Sequence, residues 1–168
     1  IVTLAMLNIT ASAYAVLLPI FAKEVYAGDA RTLGLLWGAV GFGGFAATVF
    51  LAGRPTVRHT LNAVVAGVAL SALALLVFPL STLLALALPA LAALGFGITV
   101  ANVGINTILQ AIAPDRLRGR VVSFFSSTRF GFDAIGGLIG GAMAAIVGAP
   151  WTLVGEAVLL LAVSIWLV

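Results

Sequence analysis

The chain has 168 residues, a formal net charge of +3, 63% hydrophobic residues and 8% charged ones, whereas a soluble domain carries about a quarter charged residues. A mean hydropathy of +1.27 cannot be folded away inside so small a chain, which has too little interior for its apolar surface, so lipid must be the solvent for most of it. A nucleic-acid partner is excluded because binding one needs a dense basic surface. With no cysteine and a single histidine, His59, there is no framework for a metal or another cofactor.

A bilayer core of about 30 Å takes about 20 helical residues, and six such segments follow in chain order. The first helix is expected over 1–21, ahead of the first charged residue, Lys23. No basic segment precedes it, so it does not read as a removable signal peptide, and the start at Ile1 reads as a fragment opening on a membrane helix. At 100° per residue, Thr3, Thr10 and Tyr14 share one side of this helix and Asn8 and Ser12 another. The second helix, 32–52, lies between Arg31 and Arg54 and places Gly34, Gly38 and Gly41 on one side.

Residues 60–114 contain no charge. That is about 80 Å of helix at about 1.5 Å per residue, too long for one crossing. The breaker Phe78-Pro79-Leu80-Ser81-Thr82 divides it into a third helix, 60–79, and a fourth, 83–112. The third is plain, with Asn62 and Ser71 among its polar side chains. On the fourth, Thr99, Asn102, Asn106 and Gln110 fall within an arc of about 80° and form one polar stripe. The stripe suits either the lining of a substrate cavity or interhelical hydrogen bonding.

The fifth helix, 120–147, carries Gly136, Gly137, Gly140 and Gly141 as two small-xxx-small pairs and is stopped by Gly148-Ala149-Pro150. Glycine faces of this kind let two backbones approach closely in lipid. The sixth helix, 151–168, is plain, with Thr152, Glu156 and Ser164. Glu156 reads as interfacial and His59 as a solvated loop residue.

Loops two and four hold Arg54, Arg58, Arg116, Arg118 and Arg120, while the other loops hold Lys23 and Arg31. Loops two and four, and with them both chain ends, are therefore expected on the cytoplasmic side. The helices run polar, glycine, plain, then polar, glycine, plain. With three helices per unit, the second triplet enters from the opposite side, the inverted 3+3 repeat of secondary transporters. Because glycine is common in all membrane helices, the pattern also fits six helices without a repeat.

The fourth loop reads Pro114-Asp115-Arg116-Leu117-Arg118-Gly119-Arg120, after Asn106-Thr107 and Gln110. This stretch resembles the join between the tenth and eleventh helices of a major facilitator superfamily transporter. Leu18-Pro19-Ile20-Phe21-Ala22 with Glu24-Val25 resembles the end of the seventh helix in the same family. The branch it is most similar to is that of bacterial drug and siderophore exporters, the enterobactin-exporter-like group. The resemblance covers essentially the whole chain. It implies an all-α membrane fold of six helices, half of a twelve-helix protein whose N-terminal six-helix half is missing, in a bacterial cytoplasmic membrane. It implies a small-molecule substrate and protons as partners beside the lipid. It also implies a gate in which Asp115, Arg116, Arg118 and Arg120 hold the inward-closed state, where the residues alone read as a topology signal facing anionic head groups. One departure stands out. Gly53-Arg54-Pro55-Thr56-Val57-Arg58-His59 echoes the family's loop signature without its acidic residue.

Arg129 and Asp133 lie four residues apart on the fifth helix, on one face with Ser126 and Gly137. Ionisable groups at such depth mark functional sites by default. They suit either a proton-coupling pair, with Asp133 as the proton carrier, or a static i,i+4 pair with Arg129 snorkelling to the boundary. A membrane enzyme is disfavoured: no Gly-x-Ser-x-Gly or His-Glu-x-x-His occurs and the one histidine is in a loop. The reading is a secondary active transporter, with a non-transporting scaffold or channel subunit as the alternative.

Overall fold

A computed structural model of the protein describes residues 2–53 and 57–166, with side chains over 4–53 and 60–165. Arg54 lies outside the described residues, as do the side chains of Thr3, Arg58 and His59. Every element among the described residues is helical. The first span is built from α1 (Val2–Thr10), α2 (Ala13–Ile20) and a π-helical turn, Phe21–Val25. Then follow α3 (Ala30–Ala52), α4 (Val57–Leu80), α5 (Leu84–Ile112), a 3-10 turn (Asp115–Leu117), α6 (Arg118–Val147) and α7 (Ala149–Trp166). Five stretches, from Leu4–Val25 to Asp115–Val147, are long and apolar enough to cross a membrane, and Ala149–Ile165 is a shorter apolar helix.

The first span is not the single helix expected over 1–21. It breaks at Ala11–Ser12 without any glycine or proline there. Its short polar side chains turn back onto their own backbone instead. Asn8 Nδ2 donates to the Leu4 carbonyl at 2.7 Å, Thr10 Oγ1 to that of Met6 at 2.7 Å and Ser12 Oγ to that of Ile9 at 3.2 Å. Such back-bonding competes with the helical ladder and bends it. Beyond Pro19, which removes a donor, the last turn widens: Tyr26 N–H reaches the Phe21 carbonyl at 3.0 Å. The span thereby extends past Ala22. Its end is tied to the α4–α5 turn by Tyr26, whose hydroxyl donates to the Ser81 carbonyl at 2.9 Å. Burial raises the Tyr26 phenol above its ordinary pKa, so it keeps the proton it donates.

Other boundaries follow from caps. Asp29 accepts from the Arg31 and Thr32 amides at 3.0 and 3.2 Å and starts α3, earlier than the expected residue 32, as an N-cap side chain does. Pro79 lies inside the last turn of α4. Between α6 and α7 the break is Gly148 alone, at φ +90, a left-handed conformation that suits glycine. Pro150 falls in the first turn of α7, where its missing N–H is harmless, so α7 starts at Ala149.

The helices pack in a defined order. α5 lies between α3 and α4, α4 also packs on α7, and α7 on α6 and the first span; α6 packs on both α1 and α2. One apolar core joins Leu17, Phe21, Leu75, Phe78, Leu91 and Leu153, and a second joins Leu7, Val68, Ala101 and Leu160. Two corresponding pairs cross on glycine. In the first, a Cβ on Gly43 of α3 would meet the Ala92 carbonyl of α5, and one on Gly95 would meet the Val40 carbonyl. In the second, a Cβ on Gly136 of α6 would meet the Ile9 carbonyl and Ser12 hydroxyl, and one on Gly140 the Ala13 methyl. α4 and α5 also cross closely, at Gly67 and Gly97.

The glycine side expected on the second helix meets no neighbour among the described residues. A Cβ on Gly34, Gly38 or Gly41 would meet nothing within 4 Å, and Gly43 makes the approach instead. Gly34 and Gly38 floor an open groove of about 450 Å³ with Leu88, Pro89 and Ala92. On the fifth helix Gly136 and Gly140 make the close contact, while a Cβ on Gly137 or Gly141 would stand 3.2 or 3.7 Å from Val16. Replacing Gly43 by Leu is expected to overpack the α3–α5 crossing by about 1–3 kcal/mol or more, lowering the melting temperature of the detergent-solubilised protein. Gly38→Leu is expected to leave it nearly unchanged.

Candidate functional site

The polar faces of the first and fourth spans meet, and they meet buried. Asn8 is 5% exposed and Asn102 3%, and Asn8 Nδ2 donates to Asn102 Oδ1 at 3.2 Å. Asn102 Nδ2 has no partner. Thr10 is also buried and bonds to its own helix. These three residues therefore do not face an open cavity. The rest of the stripe is partly open: Thr99 beside Gly44, then Asn106, whose Oδ1 accepts from Gln110 Nε2 at 3.1 Å.

A different cluster brings charge to the first span. The Tyr14 ring lies against Trp37 of α3, centroids 6.3 Å apart, and α6, which carries Arg129 and Asp133, packs on this span. Asp133 is exposed and Arg129 half-buried. Among the described residues the ion pair within 4 Å is Arg118–Asp115, so the expected i,i+4 pair of Arg129 and Asp133 is not closed. The Arg129 guanidinium lies 5.1 Å from the Phe130 ring centroid instead. Both residues share the α6 face that carries Gly136 and Gly140, and they stand one and two turns before that face closes on the first span. Trp37 gives no signal in the sequence beyond being an aromatic residue on a glycine-rich helix.

The fourth loop is anchored on itself. Arg118 pairs with Asp115 at 3.0 Å and donates Nε to the Gln110 carbonyl at 3.2 Å, so one arginine covers the end of α5, where cations suit the helix dipole. Both members of the ion pair are exposed, and such pairs contribute little to stability. Arg116 and Arg120 are exposed. A second apolar cavity, of about 200 Å³, opens between α3, α4 and α5 at Phe50, Asn62, Gly67 and Phe96. Among the described residues no three His, Cys, Asp or Glu stand close enough to hold a metal.

Glu156, expected as interfacial, is buried among the helices. It is 8% exposed and faces the α6 crossing, because its position on α7 turns it inward between α6 and the first span. Depth along a helix can be read from sequence, but the direction a side chain faces depends on the neighbouring helices.

The buried amide pair yields a direct test. Asn8→Leu leaves the Asn102 carboxamide wholly unpartnered and is expected to cost about 0.6–2 kcal/mol. In a double-mutant cycle, Asn8→Leu with Asn102→Leu is expected to cost less than the sum of the single changes, read as melting temperature in detergent. Additive losses would show that the two amides do not interact.

The chain matches, over residues 1–168, a family described as "Transmembrane secretion effector". No curated protein and no solved structure matches it. The match takes in every helix described above, and the chain belongs to this family of membrane transporters of the major facilitator type.

Proposed function

We propose that the chain is one half of a secondary active transporter that exports a small amphipathic molecule in exchange for protons, by alternating access. The observation that carries this reading is the placement of Arg129 and Asp133. Asp133 stands halfway along the 30-residue helix α6, and a charge at the centre of a membrane helix costs about 2.5–3.5 kcal/mol. An unpaired, exposed carboxylate at that depth is sustained by water, which supports a hydrated wedge bounded by α6, Tyr14 and Trp37. Asp133 takes up a proton from one side and releases it to the other as Arg129 moves towards it or away.

The pairing of helices supports the inverted 3+3 repeat. Helix α3 of the first triplet packs on α5 of the second, and α6 of the second packs on the first span, each on glycine. Pairs exchanged between triplets in this way are what two units of opposite orientation produce. Only 17% of the α3 and α6 spans is buried, against 44–61% in the other three long stretches. Their open apolar faces suit lipid and an upstream six-helix half. The arginines of loops two and four favour the cytoplasmic side of a bacterial cytoplasmic membrane for those loops and for both chain ends. Asp115, Arg116, Arg118 and Arg120 then act as the cytoplasmic gate, with Arg118 as its hinge on α5.

Tyr14, Thr99, Asn106 and Gln110 line the substrate path, whereas Asn8, Thr10 and Asn102 hold the spans together. Apart from Arg129 and Asp133 the path has no charged anchor, so an apolar or mixed ligand of the drug or siderophore kind fits it, bound mostly by shape.

The test is efflux of fluorescent amphipathic dyes from vesicles containing the full-length protein under an imposed proton gradient. Asp133→Asn is expected to cut gradient-driven efflux by about tenfold or more, equivalent to about 1.4 kcal/mol or more on the barrier, and to flatten its pH dependence. Unchanged pH dependence would remove Asp133 as the proton carrier.

A further inference from the structure

The carboxyl group of Glu156 is not used by the transport reading. It lies seven residues into α7, is 8% exposed, and its Oε2 has no hydrogen-bond partner. Its Oε1 lies 3.0 Å from where a Cβ on Gly140 would stand, a position that the Ala13 methyl also meets. The carboxyl is thus held where α6, α7 and the first residue of α2 come together, beside the break in the first span. The opening turn of a helix presents free N–H groups and the positive end of its dipole, so a charge has a receptor there once the packing loosens.

Charged and titratable groups on the elements around α7 do not reach it. On α6, Asp133 is nearest, about 10 Å of helix rise before Gly140; Arg129, Arg120 and Arg118 lie further away. Tyr14 follows Ala13 on α2 but sits against Trp37. Arg58 and His59 start α4, whose other end, at Leu75 and Phe78, shares a core with Leu153 and Ala157 on either side of Glu156. The Glu156 Oε2 has no partner, and among the described residues no ion pair within 4 Å involves Glu156. An ionised carboxylate with neither donor nor counter-charge is costly in such surroundings.

We propose that Glu156 is a second proton-binding site, protonated in the packing seen here, which releases its proton when α6 draws away from α7 and from the break at Ala11–Ser12. In that step the carboxyl O–H bond breaks, the proton passes to entering water, and the carboxylate turns to the N–H groups of the first turn of α2. Reclosure requires the proton back, so the occupancy of this site and the seating of α6 on the first span are linked. The site is separate from Asp133, and its test needs no transported substrate.

The test is infrared difference spectroscopy of the full-length protein in lipid vesicles, wild type against Glu156→Gln, over a pH series. At neutral pH the difference is expected to show one protonated-carboxyl C=O band that shifts in D2O and gives way to carboxylate bands at alkaline pH. The same band is expected to persist in Asp133→Asn, whatever that change does to efflux. Glu156→Asp keeps an acid at the junction and serves if the Gln variant fails to assemble: it is expected to shift the band without losing it. Carboxylate bands alone at neutral pH would overturn the proposal, as would a C=O band that never titrates while the protein stays folded.

Discussion

The seating of α6 on the first span depends on two positions that hold no side chain. At Gly136 and Gly140 the α6 backbone comes against Ile9, Ser12 and Ala13, and any Cβ there would hold the helices apart. In lipid the hydrophobic effect does not drive helices together, so close van der Waals contact between backbones supplies the attraction. The contact falls on the break in the first span, with Glu156 at its edge and Asp133 and Arg129 one and two turns away on the same face of α6. The polar groups of this region are thus positioned by the absence of bulk at two glycines.

The break itself has a local cause. A helix in lipid must satisfy its backbone groups within the protein, and here Asn8, Thr10 and Ser12 offer their side chains to the carbonyls of the preceding turn. Asn8 also reaches across to Asn102, so one residue both loosens its own helix and ties it to α5. This double use explains why the first span can be bent in the middle and yet be the most buried of the long stretches. α3 and α6, by contrast, touch the bundle along narrow glycine seams and leave most of their surface open.

Much of this organisation was legible in the sequence because punctuation and charge are local. Pro79, Gly148 and the arginines of the fourth loop mark the ends of apolar runs, and each acts through its own backbone or the next turn. The family likeness rested on similar local runs. The partner choice of each helix was not legible. Gly34, Gly38 and Gly41 form as good a small-residue stripe as Gly136 and Gly140, yet they face open space while Gly43 makes the crossing, because the path of α5 decides which turn of α3 it meets. The same holds for Glu156 and Trp37, whose facing is set by neighbours far away in the chain. The kink at Ala11–Ser12 was hidden for another reason: its cause is side-chain back-bonding by residues that also occur in straight membrane helices.

The central claim is that the α6 face carrying Arg129 and Asp133 meets water at mid-membrane depth. The chain has no cysteine, which suits thiol labelling in an otherwise cysteine-free full-length protein. Asp133→Cys and Leu138→Cys, the latter on another face of α6 and 78% exposed in the chain, are compared for reaction with a membrane-impermeant thiol reagent in intact vesicles. The account predicts labelling at position 133 and none at 138. Equal inertness at both positions in every state would contradict it.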